Sequence, residues 1–195
     1  MSTLGRNVWV AIAAVAAVQM AVLGWMVWGR VHLLKTGREV TFEVVPVDPR
    51  SLFRGDYVIL SYPFSSVRAT QSDDVTFPYL THKNDVVYVT LAPDGETNWK
   101  RLAIGRDYPA GVEPGQVVLQ GRVDQVWPDM ENKRQTGRIR FGIESYFVPE
   151  GTGAEIEKQV RDHKIKAVVA VGADGSSAIK ALEIDGKRVH EEAPL

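Results

Sequence analysis

The hydrophobic positions of this chain fall into two unlike regions, and the first is a continuous apolar run near the N-terminus. Residues 8–28 contain no charged side chain, and Arg6 and Arg30 bracket them. About 20 apolar residues suffice for an α-helix to cross the ~30 Å hydrocarbon layer of a membrane. Trp9 near one end and Trp25 near the other match the usual interfacial positions of indole rings. The pattern predicts a transmembrane helix.

A cleaved signal peptide is the alternative interpretation of this run. The run is longer than the ~7–15 residues typical of a signal peptide's hydrophobic region, and residues 24–28 (Gly-Trp-Met-Val-Trp) form a poor cleavage site. We therefore expect the helix to be retained. Residues 1–30 then form a membrane anchor, and residues 31–195 form one soluble domain.

Beyond the apolar run, short segments of alternating apolar and polar residues are separated by turn residues. A period of two is typical of β-strands that bury one face. The predicted strands are residues 40–45, 58–62, 86–91, 99–104, 117–127, 138–143, 166–171 and 178–184. Residues 93–95 (Pro-Asp-Gly) and the Asp-Gly pairs 174–175 and 185–186 predict turns. The polar residues 65–83 predict a loop.

One short helix interrupts the strands. Thr152 and Glu155 form a capping box, in which each side chain satisfies a free backbone N–H group of the first helical turn. A helix over residues 153–163 follows. The fold class is therefore mainly β: a single transmembrane helix, then a small antiparallel barrel or sandwich with one short helix.

The predicted membrane helix carries features that favour packing against another helix. Ala13, Ala17 and Ala21 recur every four residues and Gly24 follows, so a second backbone can approach closely. Gln19 adds an amide within the apolar run, where it gains from a hydrogen-bonding partner. These residues predict either self-association or association with a different membrane protein. Ordinary alanine abundance in an apolar helix is the alternative explanation.

The densest group of charges and turn residues is the segment before the second predicted strand. Gly55 can adopt a positive φ, and the carboxylate of Asp56 can close the turn onto nearby N–H groups. Asp48 and Asp56 are near enough in sequence to pair with Arg50 or Arg54. The simplest interpretation is a charged corner that fixes the entry of the strand. The alternative is a binding site formed by Asp48, Arg50, Arg54, Gly55, Asp56 and Tyr57.

The sequence Gly55-Asp56-Tyr57-x-x-Leu60-x-Tyr62 resembles the GDYXXLXY family of bacterial membrane-anchored proteins, whose biochemical role is not established. Residues 141–151 resemble the other recurring segment of that family. If the fold brings the two segments together, Glu144 and Glu150 could join the charged corner in one polar site. The resemblance implies an inner-membrane protein with a periplasmic domain that accompanies a larger polytopic membrane protein.

Residues 52–58 also look like the Leu-x-x-Gly-Asp-x-Val segment of type I signal peptidases. In those enzymes the nucleophilic serine precedes the glycine by eight residues and a methionine follows it. Val47 and Asp48 occupy these positions here, so the nucleophile is missing and protease activity is not expected.

Charge and composition narrow the remaining function classes. The net charge of −1 provides no basic field of the kind that attracts nucleic acid. The absence of cysteine excludes disulfides and thiol catalysis, and the four histidines are too far apart in sequence to suggest a metal site, so no cofactor or metal is expected. More cationic residues follow the apolar run than precede it, which by the positive-inside rule would place the domain in the cytoplasm, although long domains often escape this rule.

The sequence therefore predicts a single-pass, membrane-anchored binding or assembly module with no assigned catalytic residue. The alternative is an enzyme at the membrane surface. It would use Asp48, Asp56 or Glu144 as a general acid or base, with Arg50 or Arg54 holding an anion.

Overall fold

The computed structural model describes residues 3–45, 57–70, 82–95, 98–129, 134–147 and 165–189. These residues form one α-helix, a single 3-10 turn and eleven strands. Their bounds are α1 (Thr3–Thr36), β1 (Arg38–Glu43), β2 (Tyr57–Ile59), the 3-10 turn (Pro63–Ser65), β3 (Ser66–Thr70), β4 (Val86–Pro93), β5 (Trp99–Gly105), β6 (Val117–Asp129), β7 (Arg134–Arg140), β8 (Ser145–Phe147), β9 (Ile165–Val171), β10 (Ser177–Ile184) and β11 (Lys187–Val189).

Helix α1 contains the apolar run of the sequence. Over residues 8–28 its described side chains are exposed on every side, so no part of the domain covers them. A helix that is apolar all round is stable in lipid and poorly suited to water. Within the described residues, α1 is the one helix long and apolar enough to cross a membrane, and it is compatible with a single-pass membrane anchor.

The domain is built from antiparallel sheets, as the alternating pattern predicts. One sheet has the strand order β1-β9-β10-β11 and another has the order β3-β7-β6-β4-β5. Strands β2 and β8 form a separate two-stranded sheet. Every described strand pairing is antiparallel, so the prediction of a mainly β, antiparallel domain is confirmed.

The inward faces of the sheets share one hydrophobic core. Its largest fully buried side chains come from strands β1, β4, β6, β7, β9 and β10 and from the short segments that follow β1, follow β2 and precede β8. They are Phe42, Val44, Leu60, Tyr62, Val89, Leu91, Leu119, Ile139, Ile143, Ile165 and Leu182. Burial of each such side chain stabilises the fold by about 1.5–3 kcal/mol before the entropy cost is counted. The core therefore joins segments from the whole length of the domain.

Two of the predicted turns close tight hairpins. Asp94 donates its N–H to the carbonyl of Asn98 at 2.8 Å between β4 and β5. Asp185 and Gly186 both have positive φ, at 49° and 78°, and they are the two residues between β10 and β11. Two central residues with positive φ are the pattern of the type I′ hairpin, which favours Asp-Gly.

Two sequence predictions about strands are wrong in detail. The predicted loop 65–83 contains β3, which among the described strands pairs with β7 at the edge of its sheet. Its five residues, Ser-Val-Arg-Ala-Thr, are too few to stand out as a strand within a polar segment. The predicted strand 138–143 begins earlier and ends at Arg140, because polar residues from Arg134 onward pair with the far end of β6. The predicted helix 153–163 lies outside the described residues.

The C-terminal end of α1 packs directly on the first sheet. Leu34 is buried against Ala170 of β9 and Ala178 of β10. Gly37 donates its N–H to the Leu33 carbonyl at 2.8 Å, and β1 starts at the next residue. A Cβ atom at Gly37 would lie 2.6 Å from the Leu33 carbonyl oxygen and 3.1 Å from the Ala170 Cβ atom. The helix and the domain therefore meet without a linker.

Candidate functional site

The fold brings the two segments singled out in the sequence into contact. Strand β2 pairs antiparallel with β8, with Tyr57 opposite Phe147 and Ile59 opposite Ser145. Just after β2, Leu60 donates its N–H to the carbonyl of Glu144 at 2.8 Å. The segments are about 80 residues apart in the chain, so only tertiary structure joins them.

Tyr62 is the centre of this contact. Its phenol is buried and donates a hydrogen bond of 2.7 Å to the Ile143 carbonyl. Its ring stacks on Phe64 with centroids 5.3 Å apart, and Phe42 meets it edge-on. Burial, with a smaller effect from the negative charge of Glu144, raises the pKa of Tyr62 well above its ordinary value. The phenol therefore stays protonated and acts as a hydrogen-bond donor within the core.

Glu144 closes a turn. One carboxylate oxygen, Oε1, accepts the N–H of Phe141 at 2.5 Å, and the other, Oε2, accepts the N–H of Gly142 at 2.9 Å. Gly142 has φ +80°, a conformation that glycine adopts without strain. Both oxygens therefore bond to backbone donors of their own turn, and the arrangement fixes the approach of the chain to β8.

The remaining residues of the predicted polar site fall outside this description. Tyr57 is placed by its backbone in β2. The other candidates lie outside the described residues: Asp48, Arg50, Arg54, Gly55, Asp56 and Glu150. Within the described part of the chain, no group of three or more histidine, aspartate or glutamate side chains is arranged to hold a metal ion.

The predicted partner-facing residues of α1 divide between two sides of the helix. With 3.6 residues per turn, Ala13, Ala17, Ala21 and Gly24 lie within roughly 80° of one another. Gln19 lies roughly 200° around the helix from Ala17. We call Ala13, Ala17, Ala21 and Gly24 the small-residue face. Gln19 is on the opposite side, so a single partner helix cannot contact both equally well.

The same geometry relates the small-residue face to the domain. Leu33 and Arg30 contact the domain, Leu33 through apolar packing and Arg30 through a 3.5 Å hydrogen bond from its guanidinium to the Ser177 carbonyl. Both lie roughly 140–160° around the helix from Ala17, and Leu34, which the domain buries, lies roughly 100° from it. Ala17 is therefore turned away from the side on which the domain docks, while Ala13 lies nearer to that side, roughly 60° from Leu34.

A cleft of about 700 Å³ opens where α1 meets the domain. Its walls come from residues 29–38 at the end of the helix and the start of β1, from residues 108–118, and from residues 171–176. We call this the helix-end cleft. Sequence analysis did not identify it, because its three walls are far apart in the chain. The one local feature of the sequence that marks this region is the group of cationic residues that follows the apolar run.

Hydrogen bonds hold the walls of the helix-end cleft in place. The Arg38 guanidinium donates to the carbonyls of Gln116 and Gly115, at 2.8 and 3.1 Å, and so fixes the base of the loop 106–116 to β1. Asp174 accepts both the N–H and the hydroxyl of Ser176, at 3.0 and 2.6 Å. These two hydrogen bonds hold the pKa of Asp174 below its usual value.

Comparison with known proteins identifies one family. A family model described as "GDYXXLXY protein" matches residues 19–182, which include about the second half of α1 and nearly the whole domain. No curated protein and no solved structure matches the chain.

Proposed function

We propose that this chain, which belongs to the GDYXXLXY family, is a single-pass membrane module that binds another membrane protein through α1 and orients its β domain beside that partner. The observation that carries the proposal is the structure of the helix and its junction. The helix is apolar and uncovered on all sides over residues 8–28, yet it joins the first sheet without a linker.

The position of the small-residue face supports this role. Small side chains allow close approach between membrane helices, where van der Waals packing drives association. Because Ala17 points away from the docked domain, a partner helix packed on Ala17 leaves room for the partner's own extramembrane part. The rigid junction then sets how the domain is presented to that partner.

The geometry around the family motif favours binding over catalysis. Both carboxylate oxygens of Glu144 bond to backbone N–H groups, and the Tyr62 phenol is buried and bonded to a carbonyl. Neither group lines the helix-end cleft. The described residues of the motif thus support the domain's shape, and the membrane-surface enzyme remains the less favoured alternative.

We place the helix in the inner membrane and the domain in the periplasm. The support is the family resemblance together with the strand-rich, antiparallel make-up of the domain. The cationic residues after the helix favour the opposite orientation, but long domains translocate largely regardless of such charges.

Co-purification from native membranes tests the partner. The tagged full chain is solubilised in mild detergent and the captured proteins are identified by mass spectrometry. Replacement of Ala13, Ala17 and Ala21 by leucine fills the small-residue face and is expected to abolish recovery of the partner. Val15→Leu with Val22→Leu is the matched control, because these exposed residues lie roughly 140–160° from Ala17.

A separate Gln19→Leu variant tests the opposite side of the helix. Loss of a second captured protein in this variant alone would show that two partners bind different faces. Co-expression of two differently tagged copies distinguishes self-association from binding to another protein. Recovery of the same proteins at the same yield from wild type and from the triple leucine variant would contradict the proposed role.

A further inference from the structure

We propose that the helix-end cleft binds the headgroup of an anionic phospholipid and that the loop over residues 108–112 rests in the membrane interface beside it. The proposal requires α1 to lie in lipid, but it does not require the partner protein.

The cleft lies at the level of the membrane surface. Its helical wall is formed by Gly29, His32, Leu33 and Thr36, which share one face of α1. Gly29 directly follows the uncharged run that ends at Trp28. From there to Thr36 the helix rises by roughly 12 Å at 1.5 Å per residue. When the apolar run fills the hydrocarbon layer, this wall lies among the phospholipid headgroups.

The segment that forms the helical wall of the cleft is cationic. Residues 29–38 contain Arg30, Lys35 and Arg38 and no acidic residue; Arg38 lines the cleft, whereas Arg30 and Lys35 belong to the same segment but not to the lining. Cationic residues next to a membrane helix attract anionic lipids. The exposed imidazole of His32 adds a hydrogen-bond donor in the wall itself. The lining also contains the Asp174 carboxylate, which keeps its negative charge while it accepts two hydrogen bonds from Ser176. The three cationic residues of the segment 29–38 outweigh this single negative charge.

The opposite wall has the character of an interfacial loop. Residues 108–112 (Tyr-Pro-Ala-Gly-Val) carry no charge, and Tyr108 and Val112 are 41% and 38% exposed. Tyrosine is enriched at membrane–water interfaces. The Tyr108 ring meets Tyr88 edge-on at 5.6 Å, which supports one side of the loop while the other faces the cleft. An exposed apolar loop beside a membrane helix is stabilised by contact with lipid.

A second exposed aromatic residue, Trp127, serves as the control position for the experiments below. Trp127 is 49% exposed and lies on β6, ten residues beyond Val117, which lines the cleft. At ~3.3 Å per residue, the two positions are roughly 33 Å apart along the strand. Trp127 therefore has similar exposure but lies far from the cleft along β6.

Lipid retention tests the binding site. The full chain is purified in detergent, mixed with equal amounts of phosphatidylglycerol and phosphatidylcholine, and analysed by native mass spectrometry. We expect preferential retention of phosphatidylglycerol, and a several-fold loss when Tyr108→Ala and Val112→Ala are combined. Trp127→Ala should retain the lipid as wild type does. Equal retention of the two lipids by wild type, or no loss in the double variant, overturns the proposal.

Depth measurement tests the position of the loop without relying on lipid affinity. Because the chain contains no cysteine, Val112→Cys and Trp127→Cys each give a single labelling site. Each labelled full-length variant is placed in nanodiscs of phosphatidylglycerol and phosphatidylcholine that contain headgroup-nitroxide lipid. The proposal expects strong quenching of the fluorophore at position 112 and little at position 127, and equal quenching overturns it. These measurements omit the partner protein, so their failure is distinguishable from failure of the partner-capture experiment.

Discussion

At the scale of single residues, the leucine and the last tyrosine of the family motif belong to the core. Leu60 and Tyr62 are both 1% exposed, and each has a hydrogen bond to the segment before β8: the Leu60 N–H to the Glu144 carbonyl and the Tyr62 hydroxyl to the Ile143 carbonyl. The sequence pattern predicts the inward direction of both side chains. It does not predict their partners, because alternation reports burial and not pairing.

Tyr62→Phe is expected to destabilise the domain by about 1–3 kcal/mol, because the buried Ile143 carbonyl loses its donor. The measurement is chemical unfolding of the full chain in detergent. Tyr108→Phe is the matched control, since Tyr108 is largely exposed and its loss of a hydroxyl should have little effect. Equal stability of Tyr62→Phe and wild type would show that the buried hydrogen bond contributes nothing.

The raised pKa of Tyr62 leads us to expect a loss of stability at alkaline pH. Burial raises the folded-state pKa of Tyr62 above the unfolded value of about 10. Its protonated form is therefore favoured by folding, and this contribution is complete below pH 10 and falls as the pH rises above 10. The free energy of unfolding measured from pH 8 to 11 should fall more steeply for wild type than for Tyr62→Phe. Parallel curves would contradict this.

At the scale of elements, the junction between α1 and the first sheet determines how the domain is held. Leu34, Ala170 and Ala178 form a small apolar contact of their own beside the main core. On the same sheet, Glu39 of β1 forms 2.6 Å ion pairs with Lys180 and Arg188, which hold its pKa below the usual value. These exposed pairs contribute less than about 1 kcal/mol each, so packing is the main stabilising force at the junction.

Gly37→Ala should weaken this junction. The new methyl group would meet the Leu33 carbonyl oxygen and the Ala170 side chain, and the helix would have to shift, at a cost of about 1–3 kcal/mol. Gly29→Ala is the control, because a Cβ atom there meets nothing within 4 Å and alanine favours the helix. Thermal unfolding and protease cleavage near residue 37 provide the measurement. Similar behaviour of the two variants would mean that the junction tolerates the added volume.

Strand prediction succeeded where a strand buries side chains on one or both faces. In β4, β9 and β10, runs of apolar side chains bounded by Gly or Pro turns are visible in the sequence. Strands β3, β8 and β11 were not predicted, because three to five residues are too few for a period to appear. Their strand conformation depends on a neighbouring strand that offers hydrogen bonds.

At the scale of the whole molecule, the helix-end cleft and the family motif lie at opposite ends of the segment 37–45. The helix-end cleft lies where β1 begins, and the family motif reaches the other end of the same segment, where Val45 pairs with Ser61. Eight residues separate Gly37 from Val45, which is roughly 26 Å along an extended chain. A membrane-facing function at the cleft and a partner-facing function elsewhere on the domain are thus spatially compatible.

The orientation of the molecule can be tested by thiol labelling, again because the chain contains no cysteine. With the domain in the periplasm, Trp127→Cys reacts with a membrane-impermeant maleimide in intact cells whose outer membrane is permeabilised. Ser2→Cys, which precedes the apolar run in the sequence, should react only after lysis. The reverse pattern would place the domain in the cytoplasm, as the charges flanking the helix favour.

The sequence by itself determined the long apolar N-terminal helix, the antiparallel β class, the Asp-Gly turns and the inward direction of Leu60 and Tyr62. These features depend on local periodicity and local backbone preference, which can be read along the chain. Only the tertiary structure decided that residues 57–62 meet residues 143–147 and that three distant segments enclose a cleft at the end of α1. Strand partners are chosen by the packing of the whole core, and a period of two contains no information about which strand lies alongside.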